Sequence, residues 1–228
     1  MLVRKMRKDP LVQNEYYHIY NRGVDKRAVF LSSGDFDRFL LAMKLLNYEQ
    51  EGLMHKWRDY KITYPQKNFS DFLSLYVKNE KKLVEIVAYC LNSNHFHFIL
   101  KQVHENNGIK IFMQRLGNSY TKYFNDKNER TGALFQGRFK SARIKSAGQL
   151  SCMSIYVNCN CEIHGLAKAE NYQWCGFPEY LGKTNEKVCS KSAVMGDFRK
   201  PRDYFDYAKE IIRDFRKTKE DEKTTLLE

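Results

Sequence analysis

An α+β fold built on an antiparallel sheet is what this 228-residue sequence predicts, and three observations predict it. Two strand-like runs, LVEIVAYCL at 83–91 and HFHFIL at 95–100, are separated only by Asn92-Ser93-Asn94, so they read as a hairpin. Two longer stretches carry apolar residues at helical period, after Ser32 and after Gly108. The elements then fall in the order β-α-β-β-α-β-α. That order is the ferredoxin-like, split βαβ layout, with helices on one face of the sheet and an extra helix at its C-terminal end.

Residues 1–15 read as a basic N-terminal arm. YYHIYN, residues 16–21, is aromatic and branched and runs into Arg22-Gly23 as a strand runs into a turn. Ser32-Ser33-Gly34-Asp35 offers N-caps to a helix whose stripe is Phe36, Phe39, Leu40, Met43 and Leu46. Residues 47–82 are polar and aromatic and contain Pro65; they read as an insertion, helical around 71–76. Asn106-Asn107-Gly108 precedes a helix over 109–125, with Ile109, Phe112, Met113, Leu116, Tyr120 and Tyr123 on its apolar side. A polar turn over 126–132 leads to a strand at 139–144, and 146–165 is expected to be one helix stopped by Gly165. Residues 16–182 thus form the expected main domain, and 183–228 a charged, helical C-terminal extension.

Charge narrows the function. Thirty-nine Lys and Arg against twenty-seven Asp and Glu give +12, which calls for a polyanionic partner, nucleic acid before membrane. Residues 110–145 alone hold nine basic residues and two acidic ones, interleaved with Tyr120, Tyr123, Phe124, Phe135 and Phe139. Cations neutralise phosphates and aromatic faces stack on unpaired bases, so this mixture suits single-stranded nucleic acid. Arg22, Arg115, Lys122, Gln136, Arg138, Lys140 and Arg143 are the expected contacts, joined by Arg4, Lys5, Arg7 and Lys8 of the arm. A solvated basic face would show the same charges. No run approaches the roughly 20 apolar residues that span a bilayer, and no apolar stretch follows the basic start as in a secretory signal. A cytoplasmic, nucleoid-associated protein is expected. Its six cysteines are scattered and form no disulfide framework.

Two patterns could carry chemistry. His95 and His97 alternate with Phe96, so both imidazoles leave one strand face while the phenyl ring enters the core. Paired imidazoles can hold a divalent cation, although two satisfied polar histidines on a half-exposed sheet would give the same spacing. Tyr156 and Asn160 stand four apart on the expected last helix and so share a face. A phenol attacks a phosphodiester only if the phosphate is polarised; taken alone, such a tyrosine is an ordinary helix-face core residue. His18 reads as structural, and His55, His104 and His164 have no partner at ligand spacing.

Taken jointly, the segments resemble the HUH-type single-tyrosine nucleases, and most closely the REP-associated tyrosine transposases and their insertion-sequence relatives. YHIYNRGVDKRAVFL from Tyr17, LNSNHFHFIL from Leu91, NSYTKYFNDKNERTGALFQGRFKS from Asn118, YVNCNCEIHG from Tyr156 and YQWCGFPEYLG from Tyr172 carry the resemblance. Two positions depart from it: Ser93 and Cys161 stand where that family usually has proline. The resemblance implies attack by Tyr156 on single-stranded or hairpin DNA, a 5′-phosphotyrosyl intermediate, and Mg²⁺ or Mn²⁺ held by His95, His97 and Asn160. Either a monomer or a homodimer fits. A catalytically idle hairpin-binding protein on the same fold is the alternative; an RNA-binding module would expose aromatics where the central strands carry His95 and His97.

Overall fold

The computed structural model describes residues 10–225, with side chains to residue 218. Arg4, Lys5, Arg7 and Lys8 lie outside the described residues. The described chain runs β1 (Tyr16–Arg22), α1 (Ser33–Leu45), α2 (Leu53–Thr63), α3 (Phe69–Tyr76), β2 (Val84–Asn92), β3 (His95–Gln102) and α4 (Gly108–Lys127). It continues through β4 (Lys140–Ile144), α5 (Ala147–Asn158), α6 (Asn160–Ile163), α7 (Phe177–Tyr180), α8 (Ser192–Met195) and α9 (Pro201–Thr225). The strands form one antiparallel sheet in the order β2-β3-β1-β4, the predicted split βαβ arrangement.

Strand alternation gives that sheet two different faces. Tyr17 and Ile19 of β1 and Phe96, Phe98 and Leu100 of β3 face α1 and α4 and build the first core. Ile99 and Cys90 face the other way, toward Leu150, Ile155 and Val157 of α5. Tyr204, Ala208 and Ile212 of α9 bury themselves in this second core. The two helices of the split βαβ unit thus cover one face, and the expected extra helix, α5, covers the other. Helix α9 packs on α5 there: its Tyr204 hydroxyl reaches Ser154 Oγ at 3.0 Å and accepts from Asn158 Nδ2 at 3.2 Å.

The segment 47–82 folds on a small core of Tyr48, Leu53, Tyr60 and Phe72, joined by Leu45 from the end of α1. Its two ends meet. Leu83 N–H donates to the Asn47 carbonyl at 2.8 Å, the Asn47 side chain exchanges two 3.0 Å bonds with Val84, and Tyr48 bridges Lys82.

Helix α1 starts with a capping box in which Asp35 accepts from the N–H groups of Leu31 and Ser32 at 2.8 and 3.0 Å. The same buried carboxylate takes Lys127 Nζ at 2.6 Å and the Tyr123 hydroxyl at 2.9 Å, tying α1 to α4. Burial opposes ionisation of Asp35, and Lys127, the Leu31 N–H and Tyr123 more than offset it, so its pKa lies below the usual value. That stabilisation is present above the unfolded pKa of about 3.9 and fades as pH falls through the folded one. Asp35→Ala should cost about 1–3 kcal/mol of unfolding free energy in urea at neutral pH, and the gap to wild type should narrow in acid. A difference under roughly 0.5 kcal/mol, the scatter of ordinary surface changes, would show the box contributes nothing.

Candidate active site

Strand β3 presents His95 and His97 on the second face, next to Ile99, as the alternation requires. On the neighbouring strand, Tyr20 lies opposite His97, and His18, two residues earlier in β1, shares its face. His18 Nε2 sits 2.8 Å from His97 Nδ1, and the rings of His18, Tyr20 and His97 stack at 4.9–5.7 Å. Burial pushes the His18 imidazole down to about 4, so it is neutral at pH 7. His18, structural by its sequence context alone, thus lies against the site residues His97 and Tyr156. Its period-two spacing with Tyr20 was the available signal.

The hairpin turn fixes which nitrogen of His95 bears the proton. Asn94 Nδ2 donates to the Lys26 carbonyl at 3.1 Å, which turns Asn94 Oδ1 toward His95 Nδ1, 2.6 Å away. That oxygen can only accept, so Nδ1 carries the hydrogen and Nε2 the lone pair. The lone pair faces Asn160 Oδ1 at 3.2 Å, and Asn92 Nδ2 stands 2.9 Å from His95 Nε2 and 2.7 Å from Asn160 Oδ1.

Tyr156 approaches from α5. Its half-buried ring meets His18 and His97 edge-on, each at 5.8 Å, and Phe215 of α9 packs on it at 4.8 Å. Burial raises the phenol above its usual pKa, the Asn160 side chain opposes that as a hydrogen-bonding neighbour, and Tyr20 adds to the rise. Tyr156 and Asn160 were expected on one unbroken helix. Instead, α5 stops at Asn158, Cys159 adopts φ −103° and ψ 15°, and Asn160 opens α6. Both residues still reach the site. His164, one helical turn beyond Asn160, places its ring 5.4 Å from that of His95, a neighbour that i+4 spacing could have revealed.

The donors fit a divalent cation. An octahedral ion with ligands at about 2.1 Å sets adjacent ligand atoms roughly 3 Å apart, close to the spacing of His95 Nε2 and Asn160 Oδ1. His97 stands at right angles to His95 with ring centres 5.1 Å apart. Asn160 is fully buried, and its Nδ2 makes no close hydrogen bond. Among the described residues no group of three or more His, Cys, Asp or Glu side chains is placed to hold a metal. The candidate set is therefore two imidazoles and one amide oxygen.

The expected DNA contacts separate into two groups. Arg115 spends its donors on the Tyr48 and Glu49 carbonyls and on Glu51, and Arg143 pairs with Glu15 at 2.7 Å. Arg22 Nε donates to Gln136 Oε1 at 2.5 Å. Lys122, Arg138 and Lys140 make no ion pair among the described residues. Lys122 and Arg138 line a groove of about 1040 Å³ between α4 and the loop before β4; it contains no acidic side chain. Lys140 lies opposite Tyr20, its Nζ 5.9 Å from that ring, on the face of Tyr156.

Residues 59–160 match the family described as transposase, IS200 like. The match begins within α2 and ends on Asn160, so it takes in His95, His97 and Tyr156 but not β1 with His18. A solved structure described as a REP-associated tyrosine transposase bound to a REP hairpin has the same fold. It is 14% identical, at a TM-score of 0.50, over 83% of this chain and 96% of that one. No curated protein matches the chain. No helix among the described residues of this transposase-like chain is long and apolar enough to cross a membrane.

Proposed function

We propose that this protein cuts and rejoins single-stranded DNA beside a hairpin, with Tyr156 as nucleophile and a Mg²⁺ or Mn²⁺ ion on His95, His97 and Asn160. The observation that carries the reading is the convergence over one sheet face of a half-buried phenol, the stacked imidazoles of His18 and His97, and His95 beside an Asn160 amide whose nitrogen makes no close hydrogen bond. The hairpin is suggested by the partner named for the solved structure of the same fold.

The Tyr156 oxygen attacks phosphorus, the bond from phosphorus to the 3′-oxygen breaks, and a proton goes to that oxygen. A 5′-phosphotyrosyl linkage and a free 3′-hydroxyl result. Attack by another strand's 3′-hydroxyl on the same phosphorus reverses the step, so no nucleotide is consumed. A cation bound at this site supplies Lewis acidity against the charge that builds on the non-bridging oxygens. The residues do the rest: His97 and His18 wall the ring, and the Asn94–His95 bond keeps the His95 lone pair inward.

Lys122, Arg138 and Lys140 form the phosphate track. Each phosphate neutralised on a single strand contributes a salt slope of about −0.7, so Lys122→Gln with Arg138→Gln should flatten log affinity against log salt by roughly 1.4. Weakening should be similar for every sequence, because phosphate contacts position a strand without reading it. Titration of a hairpin with a single-stranded flank at several salt concentrations measures this, and an unchanged slope would leave the groove a solvated face.

The idle hairpin-binding alternative has one observation in its favour, the packing of Phe215 on Tyr156. Incubation with Mn²⁺ and single-stranded DNA holding a palindrome from beside the gene separates the two. A covalent protein–DNA adduct is the expected result. Tight binding without any adduct would support the alternative, and the protein would then act in the cytoplasm as a nucleoid-associated binder.

A further inference from the structure

The buried amide of Asn92 lies at the end of β2, fully shielded from solvent, directly behind the proposed ligand atoms. Its surroundings set its orientation. Asn92 Oδ1 lies 3.6 Å from the Cys90 thiol, which donates to it, and Asn92 Nδ2 is turned the other way. There it meets two acceptors, His95 Nε2 at 2.9 Å and Asn160 Oδ1 at 2.7 Å. Those acceptors point at each other across 3.2 Å, and two lone pairs so close repel unless something positive lies between them. The N–H groups of Asn92 supply that partial positive charge.

We infer that Asn92 is the protein's own stand-in for the cation: its amide holds His95 and Asn160 in ligating geometry and must release His95 when a divalent ion binds. The asymmetry follows from lone-pair counts. An amide oxygen has two, so Asn160 Oδ1 can keep the Asn92 hydrogen bond and also accept an ion. A neutral imidazole has one, so His95 Nε2 must exchange Asn92 for the ion. Asn92 is thus a positioning residue that lowers cation affinity while preventing collapse of the site without it. The inference rests on the cation reading given above.

The test is Mn²⁺ titration of the full chain by calorimetry, on wild type and on Asn92→Leu, which keeps the shape and removes the donor. Loss of one competing hydrogen bond should tighten Mn²⁺ binding about threefold to tenfold. Without the ion, the two bare acceptors should lower the melting temperature, and saturating Mn²⁺ should stabilise the variant more than it stabilises wild type. The ¹⁵N signal of His95 Nε2 should also move toward that of an unbonded acceptor in the variant, a change that simple loosening of β2 would not produce. Should Asn92→Leu fail to fold, Asn92→Asp keeps the volume and replaces the donor by a carboxylate oxygen. It should tighten Mn²⁺ by more than tenfold. Affinity that is unchanged or weaker in the folded variant overturns the inference and leaves the cation reading intact. A wild type that takes up no Mn²⁺, with or without DNA, overturns both.

Discussion

Tyr156→Phe should lose adduct formation by on the order of 10³-fold or more, the scale on which removal of a nucleophile is felt. The substitution deletes only the hydroxyl from a half-buried ring packed between the two histidines and Phe215. Stability should move by no more than about 1 kcal/mol, and affinity for a hairpin with a single-stranded flank should stay within a factor of two or three. Tyr20 is the control, since its ring stacks on His97 in the same site. A Tyr156→Phe protein that still forms the adduct, while Tyr20→Phe does not, would transfer the nucleophile to β1.

The second large effect concerns the histidines. His95→Ala should reduce cleavage by about 10²-fold to 10³-fold and weaken Mn²⁺ binding, because the variant loses the nitrogen whose lone pair is aimed inward by Asn94. His97→Ala should match that loss in activity and also cost stability, since it is buried and leaves His18 without its 2.8 Å partner. His18→Gln, which touches the ring of His97 rather than the reacting atoms, should fall between wild type and these, about 10-fold to 100-fold down. All three should keep hairpin affinity. Wild-type cleavage that continues undiminished in EDTA would remove the cation from the reading altogether.

The strands, the hairpin and the long α4 could be read from period and turn chemistry, because each is decided within a few residues. Helix α3 was legible for the same reason: Asn68 and Asp71 form a capping box. Helix α2 was not. Its N-cap is Gly52 in a left-handed conformation with no capping side chain, and only Leu53 and Tyr60 are buried. The break at Cys159 carries neither glycine nor proline at the break itself, so 146–165 read as one helix. Of the candidate site, His95, His97, Tyr156 and Asn160 were named from spacing and resemblance, and the fold brings them together. Phe215 was out of reach, since it enters through a contact between distant segments, whereas His18 and Asn92 carried only weak local signals, the spacing with Tyr20 and the place three residues before His95. The ion pairs that occupy Arg115 and Arg143 belong to the same class: a charge is visible in sequence, its partner is not.

The two clasped ends of segment 47–82 have a consequence for how this protein can vary. The chain leaves for α2 and returns to β2 through the same few backbone and Asn47 hydrogen bonds, and the excursion folds on a small core with Leu45 of α1. Beyond that clasp the excursion meets the rest of the molecule through side chains, Met54 against the first core and Arg115 on Tyr48, Glu49 and Glu51, and adds no strand to the sheet. Lengthening the excursion adds loop-closure entropy only logarithmically. The region is therefore a free parameter of the architecture, able to grow, shrink or exchange its helices while β2 still delivers Asn92, and the turn after it His95, to the same point.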